Sequence, residues 1–133
     1  MRVDLSTCSF QVHPEWDVTR LPDRLMLSAA EDGGELELSY SFKEHGKVTQ
    51  AELQTCVTQL GRELAPAEKV SFGPFSGLRV AGFDDPLCVC WWFLSSGPML
   101  LRGFYNGWQR ASETERAQIE QMLSTMRRDA TLG

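Results

Sequence analysis

Cys88-x-Cys90 comes closest to a chemical motif in this chain: alternate residues of a strand project from one face, so two thiols there could share a metal or an oxidant. A structural zinc site needs about four ligands, typically with C-x₂₋₄-C spacing. The other candidates, Cys8, Cys56, His13 and His45, are scattered along the sequence. All four cysteines fall within apolar strand-like or helix-like patterns, where a reduced thiol packs as a small hydrophobe, so neither a metal nor a cofactor is expected. His13 adjoins Pro14, His45 sits in the polar stretch Lys43-Glu44-His45-Gly46-Lys47, and no G-x-S-x-G elbow accompanies them. Asp84-Asp85 before Pro86 reads as turn chemistry, and Glu35 and Glu37 as the wet face of a strand. Phe72 to Gly77 lacks both the G-x-G-x-x-G spacing and a G-K-[ST] element. The expectation is a protein that is not an enzyme, with no catalytic residue to name.

Trp91, Trp92, Phe93, Phe104, Tyr105 and Trp108 need a different explanation. They could all fill a central hairpin covered on both faces. Two helices, however, are too few to cover both faces of a whole sheet, so some of these rings are expected to line a groove for a partner. The expected partner-binding residues are Trp108, Tyr105, Trp91 and Trp92, because Tyr and Trp combine large contact area with a polar handle. Trp108 leads, since it follows the Asn106-Gly107 turn signal and precedes polar Gln109-Arg110.

The elements that carry these residues follow from periodicity. Cys8, Phe10 and Val12 alternate with polar neighbours until His13-Pro14. Leu25, Leu27 and Ala29 alternate up to Asp32-Gly33-Gly34, and Leu36, Leu38, Tyr40 and Phe42 alternate after it, which predicts a hairpin with one wet face. Thr49 and Glu52 form a capping box for a helix predicted over 49–64, with Leu53, Cys56, Val57, Leu60 and Leu64 on one stripe and Pro66 beyond it. After Lys69 to Phe72 and a strand over 77–83, both alternate sets of Leu87 to Leu94 are apolar, so this strand must be covered on both faces. Met99 to Tyr105 is its hairpin partner. A closing helix is predicted over 112–128, with Ser112 and Glu115 as its capping box, Ile119, Met122, Leu123 and Met126 as its buried stripe, and a frayed tail from Asp129.

The chain has 133 residues, 42% of them hydrophobic, enough for one domain over 1–133 with its own core. Thirteen Lys and Arg against eighteen Asp and Glu give a charge of −5, and the arginines form no stripe, which argues against nucleic acid or an anionic membrane as the main partner. The longest apolar run, Leu87 to Leu94, is far short of the roughly 20 residues of a membrane span. The N-terminus has no apolar signal core, so a cytoplasmic location is expected.

Phe10-Gln11-Val12-His13-Pro14-Glu15-Trp16, a strand running into a Pro-x-Trp turn, resembles the opening of small domains related to the PsbP and DcrB families. The order of hairpin, helix, glycine-marked strand, two long strands and C-terminal helix is similar too. That resemblance implies an α+β fold: an antiparallel sheet with two principal helices in an αβα sandwich, in the order β-β-β-α-β-β-β-α, used for binding rather than catalysis. The function it implies is that of a bacterial protein-binding module, an immunity protein or accessory partner of a toxin or secretion effector. The alternatives are a type VI effector chaperone and a small-molecule-binding domain. A homodimer that covers surplus apolar surface is a further possibility.

Overall fold

Alternation builds the hairpin of β4 (Leu25–Ser28) and β5 (Glu35–Phe42): Leu25 lies opposite Leu38 and Leu27 opposite Leu36, so the leucines share one face while Met26, Ser28, Glu35 and Glu37 share the other. The structure is a computed structural model that describes residues 1–29, 33–61, 64–84 and 86–128. Asp32 of the expected turn, Asp85 of the acidic pair and the tail from Asp129 lie outside the described residues. β8 (Leu87–Ser96) and β9 (Met99–Trp108) pair along their whole length, with Cys90 opposite Tyr105 and Trp92 opposite Gly103. Adding β7 (Phe75–Asp84), β6 (Glu68–Phe72) and the short edge strand β3 (Asp17–Arg20) gives a seven-stranded antiparallel sheet in the order β3-β4-β5-β9-β8-β7-β6. A second, three-stranded sheet places β2 (Cys8–Gln11) between β1 (Arg2–Leu5) and β10 (Arg127–Arg128).

The fold is therefore α+β and antiparallel, as expected, but richer in strands. The αβα sandwich in the order β-β-β-α-β-β-β-α is corrected: ten strands are present among the described residues, and the small sheet shares one face of the large sheet with a helix. β1, β3 and β10 escaped the sequence reading because they are only two to four residues long, too short for alternation to register.

Both helices differ from their predicted limits. α1 (Gln50–Thr58) begins with the expected box, in which Thr49 Oγ1 accepts from the Glu52 backbone N–H while the Glu52 carboxylate accepts from the Thr49 N–H. It ends well before Pro66. The Leu60 and Gly61 amides bond back by three residues, and Gly61 adopts a left-handed φ of 63° that closes the helix. α2 runs over Gln109–Ser124, so Ser112 and Glu115 are interior positions, and their expected capping box is a correction. At the far end, Thr125 Oγ1 accepts from the Gln11 N–H, and an Arg2 guanidinium N–H donates to the Thr125 carbonyl. These bonds draw the chain out of the helix and onto β2 as β10, with Arg127 opposite Ser9.

Glu115 faces the sheet and is only 7% exposed. One carboxylate oxygen accepts the Tyr105 hydroxyl at 2.5 Å, and the other accepts the Gly34 N–H at 2.9 Å. Gly34 and Gly107 make room for the pair, since a Cβ on either would collide with Tyr105 and the Glu115 carboxylate. Further along α2, Glu120 accepts from the Trp92 indole N–H at 3.0 Å and from Arg79, and Gln118 accepts from the Trp16 indole at 2.8 Å. Around these polar ties packs the main core: Phe10 and Leu5 from the small sheet, Leu27, Leu36 and Leu101 from the large one, and Ile119 from the helix. A smaller core of Leu53, Leu78 and Phe93 seats α1 on the opposite face.

Tyr105→Phe is expected to lower the unfolding free energy by about 1–3 kcal/mol in urea titrations, because a buried carboxylate oxygen loses its donor. Burial also pushes the Cys8 thiol up to about 11 and the Cys90 thiol up to about 12 from an ordinary 9.0, and it raises Tyr105 above its ordinary 10.0 with help from the Glu115 hydrogen bond. Above pH 9 the unfolded chain releases protons that the folded chain keeps. Stability from these groups is thus fully present below pH 9 and is lost as pH rises toward 12, at about 1.4 kcal/mol per pH unit for each thiol. Urea midpoints should fall steadily above pH 9 and less steeply in Cys90→Ala; midpoints that stay level to pH 11 would contradict the assignment.

Candidate functional site

The face of the large sheet that carries α1 is the less covered one. α1 lies over β7 and β8, leaving the same face of β5 and β9 beside it. Strand register arranges the side chains of this face in rows: Met26, Glu37, Phe104, Trp91 and Val80 in one, then Ser39, Arg102, Phe93 and Leu78 in the next. Where the helix ends, these rows form a cleft of about 340 Å³. Trp91, Phe93 and Phe104 make its floor, and the Trp91 and Phe104 rings pack with centroids 5.0 Å apart and a tilt of 33°. Cys56, Gln59 and Leu60 form the wall on the helix side, and Glu37, Ser39 and Arg102 the wall on the strand side.

Charge within the cleft is unevenly matched. Glu37 is paired with Arg24, Nε to Oε1 at 3.3 Å. Arg102 is exposed; its guanidinium reaches only Ser41 Oγ at 3.5 Å, and no carboxylate among the described residues lies within ion-pair distance of it. Among the described residues, Arg102 thus lines the cleft without an ion pair.

The four expected partner-binding residues separate by face. Trp108, last in β9, is 46% exposed and shares an open hollow with Pro86, Gln109 and Arg110. Trp91 is half-buried in the cleft floor. Tyr105 and Trp92 point the other way, under α2, and are 0% and 1% exposed. Their assignment to a partner surface is corrected: alternation along β8 and β9 sends them into the main core, where their polar atoms are bonded to Glu115 and Glu120. Phe83, on the α2 face at the outer end of β7, is 52% exposed and lies near the Trp108 end of the hairpin.

Sequence reasoning missed Arg102, Ser39, Cys56 and Gln59 as neighbours of these rings. The alternation of Arg102, Phe104 and Asn106 against Leu101, Gly103 and Tyr105 was a usable signal for the open face of β9, but nothing local says that the end of α1 borders it. The cysteines are all free thiols. His13 Nδ1 accepts from the Glu15 N–H, and His45 is exposed in its loop. Among the described residues, no group of three or more His, Cys, Asp or Glu converges as a metal site would require, and no helix is long and apolar enough to cross a membrane.

No protein-family model matches the chain, and no curated protein does. Among solved structures it is similar to a Bacteroides thetaiotaomicron VPI-5482 protein determined by crystallography, with a TM-score of 0.63 and 9% sequence identity. The match covers 92% of this chain and 45% of the other, so the chain spans less than half the length of that protein. At that identity the likeness is one of fold: this antiparallel α+β arrangement is shared with a known structure.

Proposed function

We propose that this chain is a protein-binding module without chemistry of its own, and that it meets its partner at the Trp108 end of the β8–β9 hairpin. The observation that carries this reading is Trp108 itself: a large ring 46% exposed at the junction of a long strand and a helix, with Pro86 beside it. Tryptophan anchors are frequent centres of protein interfaces because one ring contributes much contact area with few rotatable bonds. The first turn of α2 starts at Trp108 with no side-chain cap, so backbone N–H donors stand next to the ring for a polar rim. A net charge of −5 suits a basic or amphipathic partner surface.

The likeness of Phe10 to Trp16 to PsbP and DcrB relatives supports a bacterial toxin or secretion effector as that partner, with this chain as its immunity protein or accessory. In the fold those residues join β2 to α2: Phe10, Val12 and Trp16 are buried, and Trp16 is tied to Gln118. They serve the scaffold, which leaves Trp108 free for recognition.

The test is affinity purification from the native host with the full chain as bait, followed by titration of the recovered protein against the parent and Trp108→Ala. A stoichiometric partner should bind the variant with an affinity weaker by about 1–2 kcal/mol, while the urea midpoint moves little because Trp108 is outside both cores. Raised salt should slow association more than it speeds dissociation. A partner that binds parent and variant alike would move the interface elsewhere.

A further inference from the structure

We infer that the cleft beside α1 binds a small carboxylate with an aromatic or branched apolar body, the carboxylate against Arg102 and the body on the Trp91–Phe104 pair. This site is separate from the proposed partner surface, because Trp108 does not line it.

Size, surface and charge point to the same class of ligand. A volume of about 340 Å³ lies at the small end of ligand pockets and suits one ring with a short polar tail. The floor presents two packed aromatic rings and Phe93, against which a flat or branched apolar group gains contact, while Leu60 closes the helix side. Charge decides the polar end. Glu37 already has its cation in Arg24, whereas Arg102 has a single long contact to a neutral hydroxyl. A ligand cation would have to compete with Arg24 for Glu37 and tolerate Arg102 nearby. A ligand carboxylate meets a guanidinium that has no ion pair among the described residues, whose fork of N–H donors matches two carboxylate oxygens, with Ser39 and Gln59 on the walls as further donors.

Three probes with the same phenylpropyl skeleton test the class on the full chain: 3-phenylpropanoate, 3-phenylpropanamide and 3-phenylpropylamine, followed by tryptophan fluorescence and isothermal titration. The acid should bind saturably with a Kd of about 1 mM or tighter, as its small size allows. The amide and the amine should bind at least about threefold more weakly, a margin suited to a charge pair at a solvent-exposed arginine. Arg102→Gln should erase the preference for the acid and keep the parent melting temperature, since the side chain is exposed and outside both cores. No saturable binding of the acid up to about 10 mM would overturn the proposal. So would an acid that binds less than about threefold better than its amide, an amine that binds most tightly, or an Arg102→Gln variant that keeps the acid preference. None of these outcomes bears on the partner titration, so the two proposals stand or fall separately.

Discussion

The carboxylate of Glu115 fixes the position of the main helix. Buried under the first turns of α2, it could not stay there without donors, because an unpaired charge in a low-dielectric interior is costly. Its two donors come from strands that are neighbours in the sheet and distant in sequence: the Gly34 amide at the entry to β5 and the Tyr105 hydroxyl on β9. Satisfying the acid therefore sets the height, rotation and tilt of α2 together. The glycines at 34 and 107 follow from the same requirement, since any side chain there would occupy the space of the pair. Apolar packing around Ile119, Met122 and Leu123 supplies the driving force, and the polar ties select one arrangement among those that would bury equal area.

The consequence for the rest of the molecule is asymmetry. The face under α2 also receives the small sheet, and between them they enclose a continuous core. The other face has nine helical residues to shelter it, and its buried side chains among the described residues are Leu53, Leu78, Val80, Val89 and Phe93. Local stability follows buried apolar contact, so α1 belongs to the less protected part of the fold. The proposed recognition features lie on that side or at its border: the Trp91–Phe104 floor, Arg102, and Trp108 at the tip of β9.

Much of this architecture could be read from residues alone. The two-sided apolar run Leu87 to Leu94 became the covered strand it had to be, the Leu25 to Phe42 hairpin has the expected inward leucines, and Thr49 with Glu52 caps α1. What was not legible depended on distant partners. Ser112 and Glu115 have the spacing of a capping box, yet the helix starts three residues earlier because Tyr105 and Gly34 claim the acid. Arg127 and Arg128 look like a basic helix end, but Gln11 and Arg2 capture Thr125 first. Tyr105 and Trp92 are interchangeable with Trp108 and Trp91 by composition; only strand parity relative to α2 separates core rings from open ones.

The three-stranded sheet also shapes how the chain reaches its native state. β2 lies between β1, its immediate neighbour in sequence, and β10, at the far end of the described chain. Phe10 and Trp16, made early, find their cover only when α2 arrives with Gln118 and Ile119. During synthesis the segment up to Trp16 must therefore wait as an exposed apolar stretch until α2 has emerged. High sequence separation of this kind slows folding and lengthens the interval in which such segments are available to chaperones or to one another. The final turn of α2 and the two arginines after it thus act as a clasp, and the fold is complete only once that clasp closes.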